Sequence, residues 1–519
     1  MRRIGIDVGG TNTDAVLLDD ARVVAAVKTP TTADVSTGIV RALQELVRKV
    51  DAAASTNAVM IGTTHFTNAV VERRDLAPVA AIRIGLPASA SLPPFCDWPD
   101  DLAALARGAV YMIEGGHEYD GRPIVPFDAA AMRRAADDIR ARGLRSAAIT
   151  SVFSPLTDEC ERAAAEILCE RCPDVAVSCS HDLGRIGLLE RENATLLNAS
   201  LVDLARRTTR AFTAALEASG LSAPLYLTQN DGTVMRADFA EAYPVFCFAS
   251  GPTNSMRGAA FLSGLSDALV VDVGGTTTDI GRLVRGFPAE ANTVVRVGGV
   301  RTLFRMPDLL SIGLGGGSIV DPAAFDVGPR SVGRLLTERA LVFGGDCITA
   351  TDIAVAAGVT QIGDRARVAR LDRALVDACL ARMRDRTETH VDRMKTDAAL
   401  MPLVRVGGGA FLVPDRMAGI SDVVDVEHRE VANAIGAAIA QVSGEVDQIF
   451  SGCGRAAAIE MATTAARERA LKAGADERTI SVTEVEDLPL AYLAGDARRV
   501  RVRVVGDIGA AQFLKPASA

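Results

Sequence analysis

Aromatic residues make up only 4% of the 519-residue chain, so it lacks the stacking platforms on which single-stranded nucleic acids are held. Clustered Lys and Arg are missing too. With a formal net charge of −9, the chain offers no basic surface from which a nucleic acid would release its counterions. No apolar run approaches the ~20 residues of a membrane span, and the N-terminus leads into a strand pattern in place of a charged-then-apolar leader. The nine cysteines are odd in number and scattered, without framework spacing, which fits a reducing compartment. Cys169, Cys172 and Cys179 are their one cluster, at the end of an amphipathic helical pattern and without a second pair. Buried or idle thiols are expected there ahead of zinc or an iron–sulfur cluster. These absences exclude nucleic acid and membrane as partners and predict a soluble, cytoplasmic protein. The length predicts three or four structural units at ~150 residues each.

What is present is a repeated octapeptide. Asp7-Val8-Gly9-Gly10-Thr11-Asn12-Thr13-Asp14 and Asp272-Val273-Gly274-Gly275-Thr276-Thr277-Thr278-Asp279 agree at seven of eight positions, about half a chain apart. The aliphatic runs before them (Ile4, Ile6, Val8; Val270, Val271, Val273) predict buried strands. The Gly pairs permit a hairpin turn too tight for a Cβ, and Thr-x-Thr-Asp begins each return strand. Backbone N–H groups in such a turn face outward and hold phosphate oxygens. The hydroxyls of Thr11, Thr13, Thr276, Thr277 and Thr278 add hydrogen bonds, and a strand-end carboxylate, Asp7 or Asp272, holds waters of a magnesium ion that neutralises the phosphates. Asp14 and Asp279 read as structural, because strand alternation is taken to point them away from the open face. A single Gly-Gly-Thr is an ordinary turn. Two matched copies predict a two-lobed nucleotide protein.

Between and beyond the hairpins the pattern alternates strand and helix. Val23 to Lys28 predicts a third strand, and Thr31 to Val50 an amphipathic helix capped by Thr31 or Asp34. Val59 to Thr63 is a strand leading into a helix, which puts His65 and Asn68 either at a ligand-binding strand end or in a helix-capping turn. Val110 to Ser178 reads as an α/β unit, and Leu189 to Leu216 as a long helix able to join lobes. Ile312 to Ser318 is dense in glycine, and Gly316 and Gly317 either bring N–H groups to a substrate or belong to a loop between lobes. Val404 to Ala410 is a strand followed by Gly407-Gly408-Gly409, suited to close approach of a flat ring or phosphate. Val431 to Val442 is a helix of small residues. Ala456 to Ala473 is helical, and Ile480 to Glu484 and Val500 to Val505 are strands.

In order, these pieces resemble the actin, Hsp70 and sugar-kinase superfamily. That implies a two-lobed, ribonuclease H-like ATPase fold with an extra α/β insertion and a small C-terminal α/β piece. ATP would then lie between lobes hinged on helices near Asn193 to Ala205 and Ala432 to Val442. More locally, several motifs are similar to the ATP-binding A subunit of the hydantoinase/oxoprolinase family. They are Asp7 to Thr11, Gly62-Thr63-Thr64 with Thr67-Asn68-Ala69, Asn198-Ala199, Gln229 with Asp231-Gly232, Ser250-Gly251-Pro252, Asp272 to Asp279, Gly315 to Ile319 and Gly328-Pro329. The resemblance divides the chain into an N-terminal lobe (1–190), a second lobe (191–445) and a C-terminal piece (446–519).

The same resemblance implies ATP and Mg2+, with Gly9, Gly10, Thr11, Asn12, Gly274, Gly275, Thr276 and Thr277 on the phosphates. Gly407, Gly408 and Gly409 would face adenosine, and Asp7 and Asp272 would serve metal and catalysis. It further implies an ATP-dependent opening of a cyclic amide. Phosphate placed on the carbonyl oxygen removes the nitrogen's donation and creates a leaving group, so that water opens the ring. A hydantoinase B-type partner and an oligomer are implied as well. A small-molecule kinase and an ATP-gated activator of another protein are the alternatives on the same scaffold. Three features depart from the family pattern: His65-Phe66, Asn12, and Thr253-Asn254-Ser255 after Ser-Gly-Pro.

Overall fold

The aliphatic run before each glycine turn forms a strand, and alternation along it decides which side chains meet the core. A computed structural model describes residues 1–31, 35–50, 56–183, 186–291, 295–491 and 496–509. Strand β1 (Arg2–Val8) pairs antiparallel with β2 (Asn12–Asp19), and β2 with β3 (Arg22–Pro30). On its other side β1 takes β4 (Thr56–Thr63) in parallel. Ile4, Ile6 and Val8 pack with Ile39, Leu43 and Leu46 of helix Val35–Lys49 and with Phe212 and Leu216 of helix Leu188–Ala218. Gly5 and Asp7 take the opposite face.

The predicted helix from Thr31 thus starts later, and the candidate cap Asp34 lies outside the described residues. The Thr31 hydroxyl is used elsewhere, donating to the Gly9 carbonyl at 2.8 Å.

An all-parallel sheet follows, made of β5 (Val79–Leu86), β6 (Arg107–Glu114), β7 (Ser146–Ser151) and β8 (Ala176–Cys179) in the order β6-β5-β7-β8. It is the expected α/β unit with one strand more. β5 escapes the pattern because Arg83 interrupts its apolar run; that guanidinium is fully buried and donates to Glu192 at 2.6 Å.

After the long helix come β9 (Leu225–Thr228) and β10 (Val234–Arg236), then the second hairpin, β11 (Ala268–Val273) and β12 (Thr278–Val284), with β13 (Phe287–Pro288). Two small hairpins, β14 (Val295–Val297) with β15 (Val300–Thr302) and β17 (Ser318–Asp321) with β18 (Asp326–Ser331), flank β16 (Leu309–Ile312). The chain closes with β19 (Met401–Val406), β20 (Ile420–Asp425), β21 (Val442–Phe450), β22 (Ser481–Pro489) and β23 (Arg498–Gly506).

The two lobes repeat one topology. The strand order β3-β2-β1-β4-β9 in the first sheet corresponds to β13-β12-β11-β19-β20 in the second. In each, an antiparallel hairpin is continued by two parallel strands. This is the ribonuclease H-like arrangement duplicated as in actin-like proteins, the α/β class expected from the motifs.

Two expectations need correction. The C-terminal residues do not form a separate piece: β21, β23 and β22 extend the first lobe's sheet beyond β10 to nine strands. β9 and β10 also belong to that sheet, so residues 190 and 445 do not separate the lobes. The joining helices are Ser250–Ser263 and Ala432–Ala438, whereas the long helix Leu188–Ala218 is buried within the first lobe and its insertion. The second joining helix is short because Val442, expected at its end, already begins β21.

The joining helices cross at backbone contact. A Cβ on Gly258 would lie 1.9 Å from the Ala432 carbonyl oxygen, and one on Gly436 would lie 1.8 Å from that of Asn254. Gly436→Val therefore forces the helices apart and is expected to cost more than ~3 kcal/mol or to yield insoluble chain. Gly454→Ala, whose added Cβ meets nothing within 4 Å, is the control and leaves the urea midpoint nearly unchanged.

Candidate functional site

The two glycine turns close in the same way. Gly9 N–H donates to the Asn12 carbonyl at 3.0 Å, and Gly274 N–H to that of Thr277 at 2.9 Å. Carbonyls inside each turn are drawn backward. The first turn is braced by Thr31, whose N–H donates to the Thr11 carbonyl at 3.0 Å. The second is braced by the glycine-dense loop, with Gly316 N–H on the Gly274 carbonyl (3.0 Å) and Gly317 N–H on that of Gly275 (2.7 Å). Gly316 and Gly317 are buried with those N–H groups engaged, so they support the hairpin and do not present donors to a ligand.

The N–H groups of Gly10, Thr11, Gly275 and Thr276, by contrast, have no acceptor among the described residues, and Gly10, Thr276 and Thr277 are exposed. A Cβ built on Gly275 would sit 2.9 Å from Thr11 Oγ1. The two turns therefore face each other across one gap, with unused donors on both sides.

Behind each turn runs a row of polar residues set by strand register. In the first lobe Asp7 stands opposite Asp14, and Asp14 opposite Lys28. In the second Asp272 stands opposite Asp279, and Asp279 opposite Ser311. Cross-strand partners share a face of the sheet. Asp14 and Asp279 therefore lie on the same side as Asp7 and Asp272, contrary to the reading that pointed them away. Lys28 Nζ donates to Asp14 Oδ2 at 3.0 Å and to the Glu430 carbonyl at 2.8 Å. The Ser311 hydroxyl donates to Asp279.

The joining helices serve these rows. Asn433 Nδ2 donates to Asp7 Oδ2 (2.9 Å) and Asp14 Oδ2 (3.0 Å), while Asn254 Nδ2 reaches Asp7 Oδ1 (3.4 Å) and the Thr228 hydroxyl (3.1 Å). Ser255 hydrogen-bonds Asp272. The departures from the family pattern at Asn254 and Ser255 thus fall directly on the carboxylates. Asn254 and Ser255 stand out in the sequence only as departures from the family pattern, and Lys28 and Asn433 were missed as site residues. Register would have found Lys28 as the cross-strand partner of Asp14, whereas nothing local signals Asn433.

Burial pushes the Asp7 carboxyl up to about 7, and Asp14 and Asp272 push it the same way against hydrogen bonds from Asn254 and Asn433. Burial likewise raises Asp14, opposed by Lys28, and Asp272, opposed by Ser255 and Lys28. Asp279 is pushed up to about 6 by burial, against its bond from Ser311.

The triple glycine lies at the end of β19. Gly407, at φ +87°, has room only for hydrogen, since a Cβ there would be 2.2 Å from Asp272 Oδ1. Gly409 N–H braces the Val273 carbonyl at 2.8 Å, and exposed Gly408 comes toward Lys28 of the other lobe. His65 and Asn68 sit in the first turns of helix His65–Val71, just past β4. Asn68 Nδ2 bonds the Thr64 hydroxyl (3.3 Å), and burial holds the His65 imidazole below its usual range. Asn12 begins β2, its carbonyl closing the first turn.

Away from the gap, Cys169 is exposed and the buried Cys172 thiol donates to the Ala136 carbonyl. Glu161, Cys179 and His181 bring metal-type atoms within 4.8 Å of one another. The Glu161 carboxylate, however, already accepts from the Ser151 and His181 N–H groups, the Ser180 hydroxyl and His181 Nδ1, which leaves it no lone pair for an ion.

With the geometry in place, the chain can be compared with known proteins. Residues 3–172 match the hydantoinase/oxoprolinase N-terminal region, and residues 191–394 match hydantoinase/oxoprolinase. The chain belongs to the hydantoinase/oxoprolinase family. It is 28% identical over 406 residues to the caprolactamase subunit alpha of Pseudomonas jessenii, covering 70% of this chain and 55% of that protein. It is 27% identical over 391 residues to the acetophenone carboxylase gamma subunit of Aromatoleum aromaticum, covering 68% and 53%. The family member described here thus spans about half the length of these curated relatives.

Among solved structures, ATP-dependent caprolactamase from Pseudomonas jessenii superposes with a TM-score of 0.80 at 20% identity, covering 100% of this chain and 90% of that one. Nucleotide-free acetone carboxylase gives 0.70 at 17% identity, covering 98% and 89%. These likenesses establish the fold. No helix among the described residues is long and apolar enough to cross a membrane.

A raised carboxylate makes the ligand-free protein pH-sensitive in a definite direction. An unfolded aspartate titrates near ~4, so between there and about 7 folded Asp7 keeps a proton that the unfolded chain has lost, and stability falls as pH rises through that window. Asp14, Asp272 and Asp279 act in the same sense, with Lys28 opposing the rise at Asp14 and Asp272 and Ser311 opposing it at Asp279. Without nucleotide or metal, the melting temperature is expected to drop between pH 5 and pH 8, and Asp7→Asn to reduce the slope. An unchanged slope in the variant contradicts the assignment.

Proposed function

We propose that this protein is the ATP-binding component of an enzyme that opens a cyclic amide of hydantoin, lactam or imide type, working with a partner chain. One observation carries the reading: two glycine turns with unused N–H donors face each other over two rows of carboxylates, Asp7 and Asp14 buried and Asp272 and Asp279 half-buried. Facing donors of this kind suit a polyphosphate. The names of the relatives, an ATP-dependent caprolactamase and two carboxylases, support ATP and an unreactive carbonyl; two are named as subunits, which supports the partner.

In this reading Gly9, Gly10, Thr11, Asn12, Gly274, Gly275, Thr276 and Thr277 hold the phosphates, and Gly408 with its neighbours Gly407 and Gly409 borders the nucleoside. The carboxylate rows fit magnesium. They place four acidic groups against the single ammonium of Lys28, and the side-chain oxygen of Asn254 beside Asp7 is buried without a hydrogen-bond partner among the described residues. Asp7 and Asp272 would hold the ion, which supplies charge neutralisation of the phosphates. Asn254 and Asn433 keep Asp7 oriented, and Lys28 reaches from the first lobe toward the second.

The chemistry balances with one ATP and two waters. The carbonyl oxygen attacks the terminal phosphorus, the bond to ADP breaks, and the ring nitrogen releases its proton as the C=N bond forms. Water adds to that carbon. The C–N bond then breaks with its electron pair going to nitrogen, which takes up a proton, and a second water hydrolyses the acyl phosphate to carboxylate and phosphate. The chain's part is position and charge, with Asp272 orienting the attacking oxygen.

A second reading is favoured by the likeness to the acetophenone carboxylase gamma subunit: the same phosphoryl step on an enol oxygen, ahead of carboxylation.

Phosphorus NMR of the protein with its partner separates the readings. Inorganic phosphate and an opened ring should appear with a lactam, hydantoin or imide, and a ketone with bicarbonate should be inert. Phosphate retained on the substrate instead indicates a kinase. Asp272→Ala is expected to lower turnover by about 100-fold or more while the melting temperature stays within a few degrees. Gly275→Val places a side chain against Thr11 and is expected to abolish binding of a non-hydrolysable ATP analogue by calorimetry; unchanged affinity refutes the phosphate assignment.

A further inference from the structure

The joining helices are one place where the lobes meet, and an arm of the second lobe makes another. β13 and β16 both pair with β12, and between them the chain runs outward and returns. The arm, residues 289–291 and 295–308, is rooted in the sheet. Ala289 N–H donates to the Arg282 carbonyl at 2.7 Å, Asp308 N–H to the Ala289 carbonyl at 2.7 Å, and Ala291 N–H to the Met306 carbonyl at 3.0 Å. Its outer part is β14 paired with β15.

The arm lies on the first lobe. Val297, Val300 and Phe304 are buried in one cluster with Phe66, Val70, Leu197 and Phe248, and the Phe304 ring meets that of Phe248 edge-on at 5.5 Å. A two-stranded ribbon is marginal in water by itself, so the arm keeps its form through this burial. Polar contacts fix its register. Arg73 Nη2 donates to the Gly298 carbonyl at 3.0 Å, and Asn193 Nδ2 to the Arg301 carbonyl at 3.1 Å. Arg305 pairs with Glu445 at 3.0 Å and Glu484 at 2.9 Å, and Arg501 reaches back to Glu290 at 2.8 Å.

The return strand of the arm has no slack. Arg305, held by the first lobe, is next to Met306, whose carbonyl is already paired in the root. Two crossing helices alone leave the lobes a rotation about their contact. A second attachment, spread from Val70 of helix His65–Val71 to Glu484 of β22, opposes that rotation.

We infer that this arm is a strap that holds the lobes at one separation, so that the gap between the glycine turns is set before any ligand enters it. The inference uses only contacts within the chain and does not rest on the function proposed above. The protein carries its own reporter of docking. Trp98, the only tryptophan, is 6% exposed in the cluster that buries the arm. Its Nε1 donates to Asn193 Oδ1 at 2.7 Å, and Asn193 is the residue that holds the Arg301 carbonyl. Lifting the arm uncovers this indole.

Two measurements on the full chain without nucleotide test this. Acrylamide quenching of Trp98 reads whether the arm is docked. Double electron–electron resonance reads the lobe separation, with spin labels on p-acetylphenylalanine introduced at exposed Arg48 of the first lobe and exposed Asp397 of the second. With the arm intact, Trp98 is expected to be shielded and the distance distribution narrow. Phe304→Ser is expected to raise the quenching constant about threefold or more and to broaden the distribution about twofold or more. If Phe304→Ser melts more than a few degrees early, Gly298→Val takes its place with the same expected changes, since a Cβ there would lie 2.7 Å from Val70 Cγ1. A quenchable Trp98 or a broad distribution with the arm intact, a distribution that stays narrow once Trp98 is uncovered, or a Trp98 still shielded in both variants overturns the inference. Calorimetry with the ATP analogue remains a separate readout, so failure of the nucleotide assignment is not mistaken for failure of the strap.

Discussion

The backbone contact between the two joining helices is the constraint on which the rest of the molecule depends. Gly258 and Gly436 let helices Ser250–Ser263 and Ala432–Ala438 approach until backbone touches backbone, and Gly5 lets β1 press onto the second of them. Only at that distance can Asn254 of one helix and Asn433 of the other both reach Asp7, which lies at the end of a strand in the first lobe. Ser255, one residue along from Asn254, meets Asp272 in the second lobe. The crossing therefore joins the lobes and sets the separation of their carboxylates at once. A hinge made of small residues is stiff in spacing, because nothing between the backbones can be compressed.

That spacing has an electrostatic cost. Burial first, and neighbouring carboxylates second, raise the proton affinity of the acidic side chains in the two rows, and one ammonium does not offset them. Clustered carboxylates of this kind are the arrangement that the magnesium ion of the proposed function would offset. Hydrogen bonds from Asn254, Asn433, Ser255 and Ser311 reduce the cost without cancelling the negative charge. Amides and hydroxyls orient a carboxylate and leave it able to bind metal, whereas an arginine in their place would compete for it.

The duplicated octapeptide was legible from sequence because its message is local: two glycines between an aliphatic run and Thr-x-Thr-Asp allow few backbone courses. The facing of the two turns was inferred from the duplication and is met by the contact of Gly275 with Thr11. Non-local features were not legible. The C-terminal strands continue a sheet begun 400 residues earlier, and no local pattern announces which edge a strand will join. The choice of joining helix went wrong for a similar reason. Length singled out Leu188–Ala218, but the crossing is made by shorter helices whose glycines are explained only by the partner backbone. Asp14 and Asp279 were misplaced by treating the return strand alone; once register pairs them with Asp7 and Asp272, all four share the inner faces. Lys28 was invisible on the same grounds, being informative only as the residue opposite Asp14.

The two rows are copies in geometry but not in charge, and that asymmetry bears on their separate tasks. The first row ends on Lys28, whose ammonium leans on Asp14 and on the Glu430 carbonyl near the second lobe's Gly408. The second row ends on Ser311, a neutral donor, and the cation that acts on Asp272 is Lys28 of the other lobe. In the proposed function a cation between the rows would be held more firmly on the side that lacks its own counter-charge, which would leave Lys28 to meet the phosphates. Two identical halves would hold a polyphosphate symmetrically and favour no end of it. The unequal ends of these rows give the gap a direction, which supports the phosphoryl transfer proposed above over simple retention of a nucleotide.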